Sequence, residues 1–113
     1  MSKGKIREYK SGATRDTDEG KLDFEGFLSP LVLERYAQYM NENRVQKDGG
    51  LRDSDNWQKG IPFNDYVKSG WRHFFSWWKG HREGVVNEKE ICALIFNASG
   101  YLHEHLKNKQ QDV

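Results

Sequence analysis

The chain has 113 residues and a formal net charge of +1, with 18 basic and 17 acidic side chains. That length is typical of one domain, and the balanced charge argues against a nucleic-acid-packaging role, which needs a clearly basic face. The single cysteine excludes an intramolecular disulfide and a multi-cysteine zinc site. Because no apolar stretch reaches the length of a membrane span and MSKGKIREYK lacks the apolar segment of a secretory leader, we expect a cytoplasmic protein that binds neither membrane nor nucleic acid.

Aromatic side chains make up an unusual share of the apolar residues, with 6 Phe, 5 Tyr and 4 Trp. We therefore expect a core built largely from rings, and oligomerisation, because a chain of this size buries a small core on its own. Residues 1–20 are polar and lack an apolar period, which predicts a mobile N-terminal arm, and residues 109–113 are predicted to form a C-terminal tail.

The first predicted helix spans residues 30–44. Ser29 is a suitable N-cap, Pro30 is favoured in the first turn, and the apolar residues that follow have helical spacing. Breakers such as Gly49-Gly50 then predict a long connection over 45–63, which we expect to be ordered because it contains a tryptophan.

A second helix is predicted over residues 64–79, with Asn64 as its N-cap and Gly80 as the glycine that ends it. Five large apolar side chains recur at the spacing of one helix face. They are Val67, Trp71, Phe74, Phe75 and Trp78. We expect this face to form a wall of the core.

The third predicted helix is the longest, over residues 88–108, and it begins with a capping box formed by Asn87 and Glu90. No segment shows the alternation of a β-strand. The fold class predicted is therefore all-α, a small helical bundle of three main helices with the ordered connection over 45–63.

Three polar residues of the third helix lie seven positions apart, and so share one stripe: Glu90, Asn97 and Glu104. Burying such groups is costly unless they are partnered, and a hard cation such as Mg²⁺ is one possible partner. The alternatives are a completed capping box for Glu90, a core hydrogen bond for Asn97 and a solvated Glu104. Glu34 on the first helix is open to the same two interpretations, as a cation ligand or as a solvated carboxylate.

Two further groups of residues allow both a functional and a structural interpretation. Arg72 and His73 lie among aromatic residues, where an arginine can bind phosphate and a histidine can carry a proton, or where both simply pack and solvate. In the connection, Trp57 with neighbouring amides can stack on a purine and bind its edge, or can anchor the loop in the core.

Several segments, in this order, resemble the phage-type dATP/dGTP diphosphohydrolase N-terminal family, which is similar to the MazG-like all-α nucleotide pyrophosphohydrolases. These segments are Gly12 to Asp16, Gly20 to Pro30, Asn56 to Gly60, Trp71 to His73 and Ala93 to Glu104. The resemblance covers residues 11–106, and GKLDFEGFLSP and NWQKG are its most specific strings.

The resemblance implies Mg²⁺-dependent hydrolysis of dATP or dGTP to monophosphate and pyrophosphate, serving phage control of the nucleotide pool in the host cytoplasm. It also implies a homo-oligomer, a dimer or tetramer, and a long N-terminal segment, residues 11–27, that is ordered over the site and not a mobile arm. On this interpretation the flexible N-terminal tail is limited to residues 1–10, and residues 11–108 form a single domain. The metal candidates are Glu34, Glu90 and Asn97, and the catalytic candidates are Glu34, Glu90 and His73. The substrate-binding candidates are Arg15, Lys21, Lys59 and Arg72 for phosphates, and Asn56 and Trp57 for the base or sugar.

One feature departs from the MazG-like pattern, because no ExxE or ExxD pair occurs in the chain. Glu34 is followed three residues later by Ala37, and Glu90 by Ala93. Paired carboxylates one turn apart hold a cation better than single ones. Two alternatives to the enzyme therefore stay open: a non-catalytic nucleotide-binding protein, as a sponge or regulatory subunit, and a helical protein-interaction module that uses the aromatic face.

Overall fold

The computed structural model describes residues 6–17 and 19–111, so residues 1–5 and 112–113 of the two predicted tails lie outside the described residues. The chain divides into two compact units, one extending to Pro30 and the other beginning at Leu31. None of the helices in the described ranges is both long and apolar enough to cross a membrane.

The first unit contains a small antiparallel sheet formed by β1 (Ile6–Glu8) and β2 (Thr14–Asp16), in which Arg7 lies opposite Arg15. A short helix, α1 (Phe24–Phe27), follows, and the Asp23 carboxylate caps it by accepting the backbone N–H of Gly26 at 2.9 Å. The all-α prediction is therefore only approximate: the chain is mostly helical but includes a two-stranded sheet. Strands of three residues, mostly exposed, are too short to show an alternating pattern.

The second unit is built from three long helices and one short one. These are α2 (Pro30–Glu42), a 3₁₀ turn (Asn56–Lys59), α3 (Phe63–Arg82) and α4 (Glu88–Gln111). The three long helices lie where the sequence predicts them, with α2 ending two residues early and α4 extending three residues further. The predicted connection over 45–63 contains the 3₁₀ turn and an isolated antiparallel bridge between Val45 and Leu51.

The C-terminus of α3 lies beyond the predicted Gly80, which is an ordinary helical residue. Gly84 takes the left-handed conformation, with φ of 81°. The N–H of Gly84 donates to the carbonyl of His81 at 3.1 Å, and that of Val85 donates to the carbonyl of Gly80 at 2.8 Å. This pair of bonds is a Schellman motif, so Gly84, rather than Gly80, ends the helix.

α3 packs against α4 along a stripe of small and polar residues. A Cβ at Gly70 would lie 3.6 Å from the Cβ of Asn97, and one at Gly100 would overlap the ring of Tyr66. The two helices therefore approach closely at both glycines. The most buried apolar residues, Tyr66, Cys92 and Ala93, lie on these two helices.

The prediction that the apolar face of α3 forms a wall of the core is wrong within a single chain. All five of its side chains are exposed, with Trp71 reaching 70% exposure. The adjoining face of α3 packs on α4 instead, through Tyr66, Gly70 and His73. Helical spacing finds an apolar face correctly, but it does not show whether that face packs inside the chain.

Candidate functional site

A cavity of about 640 Å³ opens within the second unit, bordered by the C-terminal half of α2, the segment that follows it, α3 and α4. Its volume lies within the range of small-molecule sites. Four residues predicted from the sequence line it: Asn56, Trp57, His73 and Asn97. The fold therefore brings together residues that are separated by more than 40 positions in the chain.

The lining residue His73 is held by Glu90. Its Nδ1 lies 2.5 Å from Glu90 Oε2, and both side chains are partly buried. Because Nδ1 faces the carboxylate, Nε2 is the ring nitrogen left for the cavity. A carboxylate that fixes one nitrogen of an imidazole so that the other can exchange protons is the arrangement used by general bases.

The same contact revises the capping box at the start of α4. Asn87 Oδ1 accepts the backbone N–H of Glu90 at 3.3 Å, as a capping residue should. The Glu90 side chain does not return to Asn87 but binds His73. Only the Asn87 half of the box therefore forms, and the other half contributes to the candidate site.

Asn97 is buried at 5% exposure, and its Nδ2 donates to the carbonyl of Ala93 at 2.8 Å. That bond fixes the amide against its own helix and leaves Oδ1 as its remaining acceptor. The core hydrogen bond considered in the sequence is therefore present, although the residue also lines the cavity.

Trp57 anchors the 3₁₀ turn on α4. Its ring meets His103 edge to face, with centroids 4.7 Å apart. It also lines the cavity beside Asn56. The anchoring role considered in the sequence is therefore present, and stacking on a purine stays a prediction.

Tyr36 and Tyr39 add phenol groups from α2 to the lining. Burial raises the pKa of both hydroxyls above the ordinary value. Both therefore stay protonated at neutral pH and can donate hydrogen bonds into the cavity. The sequence analysis did not select them, because tyrosines at helical spacing are as typical of a core face as of a site.

Arg44 and Arg52 also line the cavity and were missed in the sequence. They flank a small hairpin in which Arg52 N–H donates to the Arg44 carbonyl at 2.8 Å, and Gly49 at its tip has φ of 86°. The signal that would have found them is the Asp48-Gly49 turn, which is typical of a hairpin and places its flanking residues side by side. The breakers in that stretch by themselves predict only a connection.

The other predicted site residues lie elsewhere. Glu34, Lys59 and Arg72 belong to the second unit, are exposed and do not line the cavity. Arg15 on β2 and Lys21 before α1 are exposed residues of the first unit. The predicted phosphate ligands of the second unit, Lys59 and Arg72, therefore do not border the cavity.

The predicted metal ligands fit a protein-only Mg²⁺ site poorly. Within residues 6–17 and 19–111, no three His, Cys, Asp or Glu side chains lie close enough to hold a metal ion. Glu34 is exposed, and the carboxylate of Glu90 is engaged by His73. Any cation here would need ligands from another molecule, such as substrate phosphates, which commonly supply them for Mg²⁺.

Toward the C-terminal end of α4, Glu104 and Tyr66 form a second buried polar group. Glu104 is 9% exposed, with Oε2 3.6 Å from Lys107 Nζ, while its Oε1 and the Tyr66 hydroxyl have no hydrogen-bond partner among the described residues. Burial raises the pKa of Tyr66, and the charge of Glu104 raises it further. Glu104 is therefore buried in the helix interface, and the alternative of a solvated Glu104 is wrong.

The second unit thus defines a mostly helical protein in which aromatic, aliphatic and polar residues line a cavity beside a close helix pair. Compared with known families, residues 11–113 match the model of the family described as dATP/dGTP diphosphohydrolase, N-terminal. Because this match covers nearly the whole chain, the chain belongs to that family, as the sequence motifs indicated. No curated protein and no solved structure shows a significant match to the chain.

Proposed function

We propose that the cavity of the second unit binds a purine deoxynucleoside triphosphate, dATP or dGTP, and that the protein hydrolyses it to the monophosphate and pyrophosphate. The observation that carries this proposal is the His73–Glu90 pair at the cavity, with a Nδ1 to Oε2 distance of 2.5 Å. The family description supports the substrate class. Trp57 and Asn56 supply a ring and an amide for a purine, a combination used to recognise bases.

In the proposed reaction, a water molecule adds to the α-phosphorus as the bond from that phosphorus to its bridging oxygen breaks. Pyrophosphate leaves with that oxygen, and the water oxygen stays on the monophosphate. His73 takes the water proton at Nε2, while Glu90 holds Nδ1 and stabilises the charge that the ring gains. Positioned general bases of this kind contribute about 10²- to 10⁴-fold to a rate.

We further propose that Mg²⁺ enters as the Mg–nucleotide complex. This proposal is consistent with the absence of a three-ligand acidic cluster in the described part of the chain. Of the predicted ligands, Asn97 lines the cavity and would complete the coordination, and bound Mg²⁺ would offset charge on the phosphates. The roles of Glu34 as ligand and of Arg15, Lys21, Lys59 and Arg72 as phosphate contacts stay predictions.

The partner proposed for the exposed aromatic face of α3 is a second copy of this chain. Apolar side chains such as Trp71, Phe75 and Trp78 stand exposed on this face, and contiguous apolar patches of that kind mark interaction surfaces. Sedimentation velocity tests the proposal: we expect a dimer or tetramer that Phe75→Glu dissociates. A monomeric wild-type chain would refute it.

A non-catalytic nucleotide-binding protein is the second candidate function. The observation that favours it is again the lack of an acidic cluster among residues 6–17 and 19–111, together with the absence of ExxE and ExxD pairs. In that case, nucleotide bound to the protein would be recovered intact.

One experiment separates the candidates. The protein is incubated with each of the eight common ribo- and deoxynucleoside triphosphates and Mg²⁺, and the products are resolved by ion-exchange chromatography. The enzyme hypothesis predicts monophosphate and pyrophosphate from dATP or dGTP, abolished by chelation of Mg²⁺ and by His73→Ala. Intact nucleotide with measurable binding supports the second candidate, and no binding of any nucleotide refutes both.

A further inference from the structure

We infer that Arg44 and Arg52 bind the two terminal phosphates of the nucleotide, so that the cavity selects triphosphates over monophosphates. This inference rests on the proposed function, because it assumes that a nucleotide occupies the cavity. It also assigns phosphate binding to residues different from those that the sequence predicted.

The backbone fixes the two arginines beside each other. Arg52 N–H donates to the Arg44 carbonyl at 2.8 Å, and the adjoining residues Val45 and Leu51 form an antiparallel bridge. At the tip, Gln46 N–H donates to the Gly50 carbonyl at 2.8 Å. A closed hairpin of this kind holds its two flanking side chains at one place in the fold.

Side-chain bonds to the backbone restrict both guanidinium groups further. Arg44 Nε donates to the carbonyl of Arg52 at 2.8 Å, and Arg52 Nη1 donates to the carbonyl of Asn43 at 3.3 Å. Each bond uses one of five N–H donors, so most of each planar fork stays available. Guanidinium groups that are already held by hydrogen bonds lose less conformational entropy when they bind a ligand than mobile side chains do.

Neither guanidinium forms an ion pair within the described part of the chain. The carboxylate of Asp53 also lines the cavity, but it makes no salt bridge to either arginine. With two arginines and one aspartate, the lining carries an excess of positive charge. Phosphate oxygens are the partners that arginine forks match in both charge and geometry, commonly through paired hydrogen bonds.

Neutral donors extend the same lining. Asn41, Asn43 and Ser54 border the cavity close in sequence to the two arginines. Amide and hydroxyl groups next to guanidinium groups are typical of polyphosphate sites, where many oxygens must be bound at once. The purine-binding candidates Asn56 and Trp57 follow directly along the chain, so one segment supplies both kinds of contact.

The test compares binding of dGMP with binding of the α,β-methylene analogue of dGTP, which cannot be cleaved at the proposed bond. Titrations are made with the wild-type chain, Arg44→Gln, Arg52→Gln and the control Lys47→Gln. Lys47 lies in the same hairpin, is exposed and does not line the cavity. The control therefore removes one positive charge from the hairpin without removing a cavity contact.

We expect the wild-type chain to prefer the triphosphate analogue, and each arginine variant to lower the ratio of analogue to dGMP affinity by about tenfold or more. The Lys47→Gln ratio should stay within about twofold of wild type. Equal losses for both ligands would show that the arginines only shape the hairpin, and would overturn the inference. So would arginine variants that behave like the lysine control.

Inorganic tripolyphosphate separates this inference from the proposed function. If tripolyphosphate binds to wild type but no nucleotide does, and the arginine variants no longer bind tripolyphosphate, the proposed function fails and the phosphate-binding role of the two arginines stands. If dGMP and the analogue bind wild type equally well, the inference fails and the proposed nucleotide site stands. If neither nucleotide nor tripolyphosphate binds, both fail.

Discussion

Replacing Gly100 with alanine tests the helix pairing that positions the candidate site. A methyl group at Gly100 would overlap Cε1, Cζ and the hydroxyl of Tyr66. The Tyr66 ring is 2% exposed, so it cannot swing aside into solvent. The helices must therefore separate locally, or the ring must leave its rotamer.

The magnitude follows from two opposing terms. Overpacking a well-packed interface costs about 1–3 kcal/mol, and overlap with two ring carbons and the hydroxyl oxygen of Tyr66 favours the upper end of that range. Alanine in place of glycine inside a helix contributes about 1 kcal/mol in the other direction. Gly100→Ala should therefore lower the free energy of unfolding by about 2 kcal/mol.

Gly70 is the matched control on the facing helix. Its added methyl would lie 3.6 Å from the Asn97 Cβ, an ordinary van der Waals contact. Gly70→Ala should therefore be neutral or stabilising by up to about 1 kcal/mol. Urea unfolding followed by circular dichroism measures both variants under two-state conditions.

A double variant isolates the cause. In a Tyr66→Ala background the overlapping ring is gone, so Gly100→Ala should cost nothing further and should gain its helix-propensity term. If Gly100→Ala matches or exceeds wild-type stability in the presence of Tyr66, the close approach of α3 and α4 described here is incorrect.

Three further predictions concern single side chains. Tyr66→Phe removes a buried hydroxyl that has no hydrogen-bond partner among residues 6–17 and 19–111, and it should raise the free energy of unfolding by about 1 kcal/mol in urea melts; a clear loss would show that the hydroxyl is bonded. Burial raises the pKa of Tyr66, so the folded state holds the phenol proton more tightly than the unfolded state, whose pKa is 10.0. The free energy of unfolding should therefore fall as the pH rises from about 10 through the folded pKa, and Tyr66→Phe should flatten this decline. Asn87→Ala removes the cap of α4 and should cost about 1 kcal/mol, whereas an unchanged midpoint would contradict the cap. Glu90→Gln keeps a hydrogen-bonding group next to His73 but removes the negative charge of the carboxylate. Hydrolysis of dGTP should therefore slow by about 10- to 100-fold with KM within about threefold, and a change confined to KM would count against the role of the His73–Glu90 pair.

The long helices were predictable because their apolar spacing and their caps are local features of the sequence. Asn87 identified the start of α4 correctly, and the seven-residue spacing predicted that Asn97 and Glu104 share one stripe of that helix. That this stripe is buried at Asn97 and Glu104 is known from the structure and not from the spacing. The end of α3 was not predictable in the same way, since Gly80 and Gly84 both qualify as terminal glycines. Only the hydrogen bonds of the last turn distinguish them.

The less local features were harder to predict. The apolar face of α3 was found, but its exposure depends on which neighbour covers it, and that information lies outside the helix. The pairing of Glu90 with His73 joins residues 17 positions apart, and no spacing rule connects two different helices. Arg44 and Arg52 escaped notice because their roles depend on a hairpin that brings them together.

The most direct test of the central claim is single-turnover hydrolysis of dGTP with Mg²⁺ in ¹⁸O-labelled water, using wild type and His73→Ala. We expect dGMP and pyrophosphate as products, with the label in dGMP. We also expect a rate at least about 100-fold lower for His73→Ala, while the uncleavable analogue binds both proteins with affinities within about threefold. Label in pyrophosphate, other products, or an unimpaired His73→Ala would contradict the proposed mechanism.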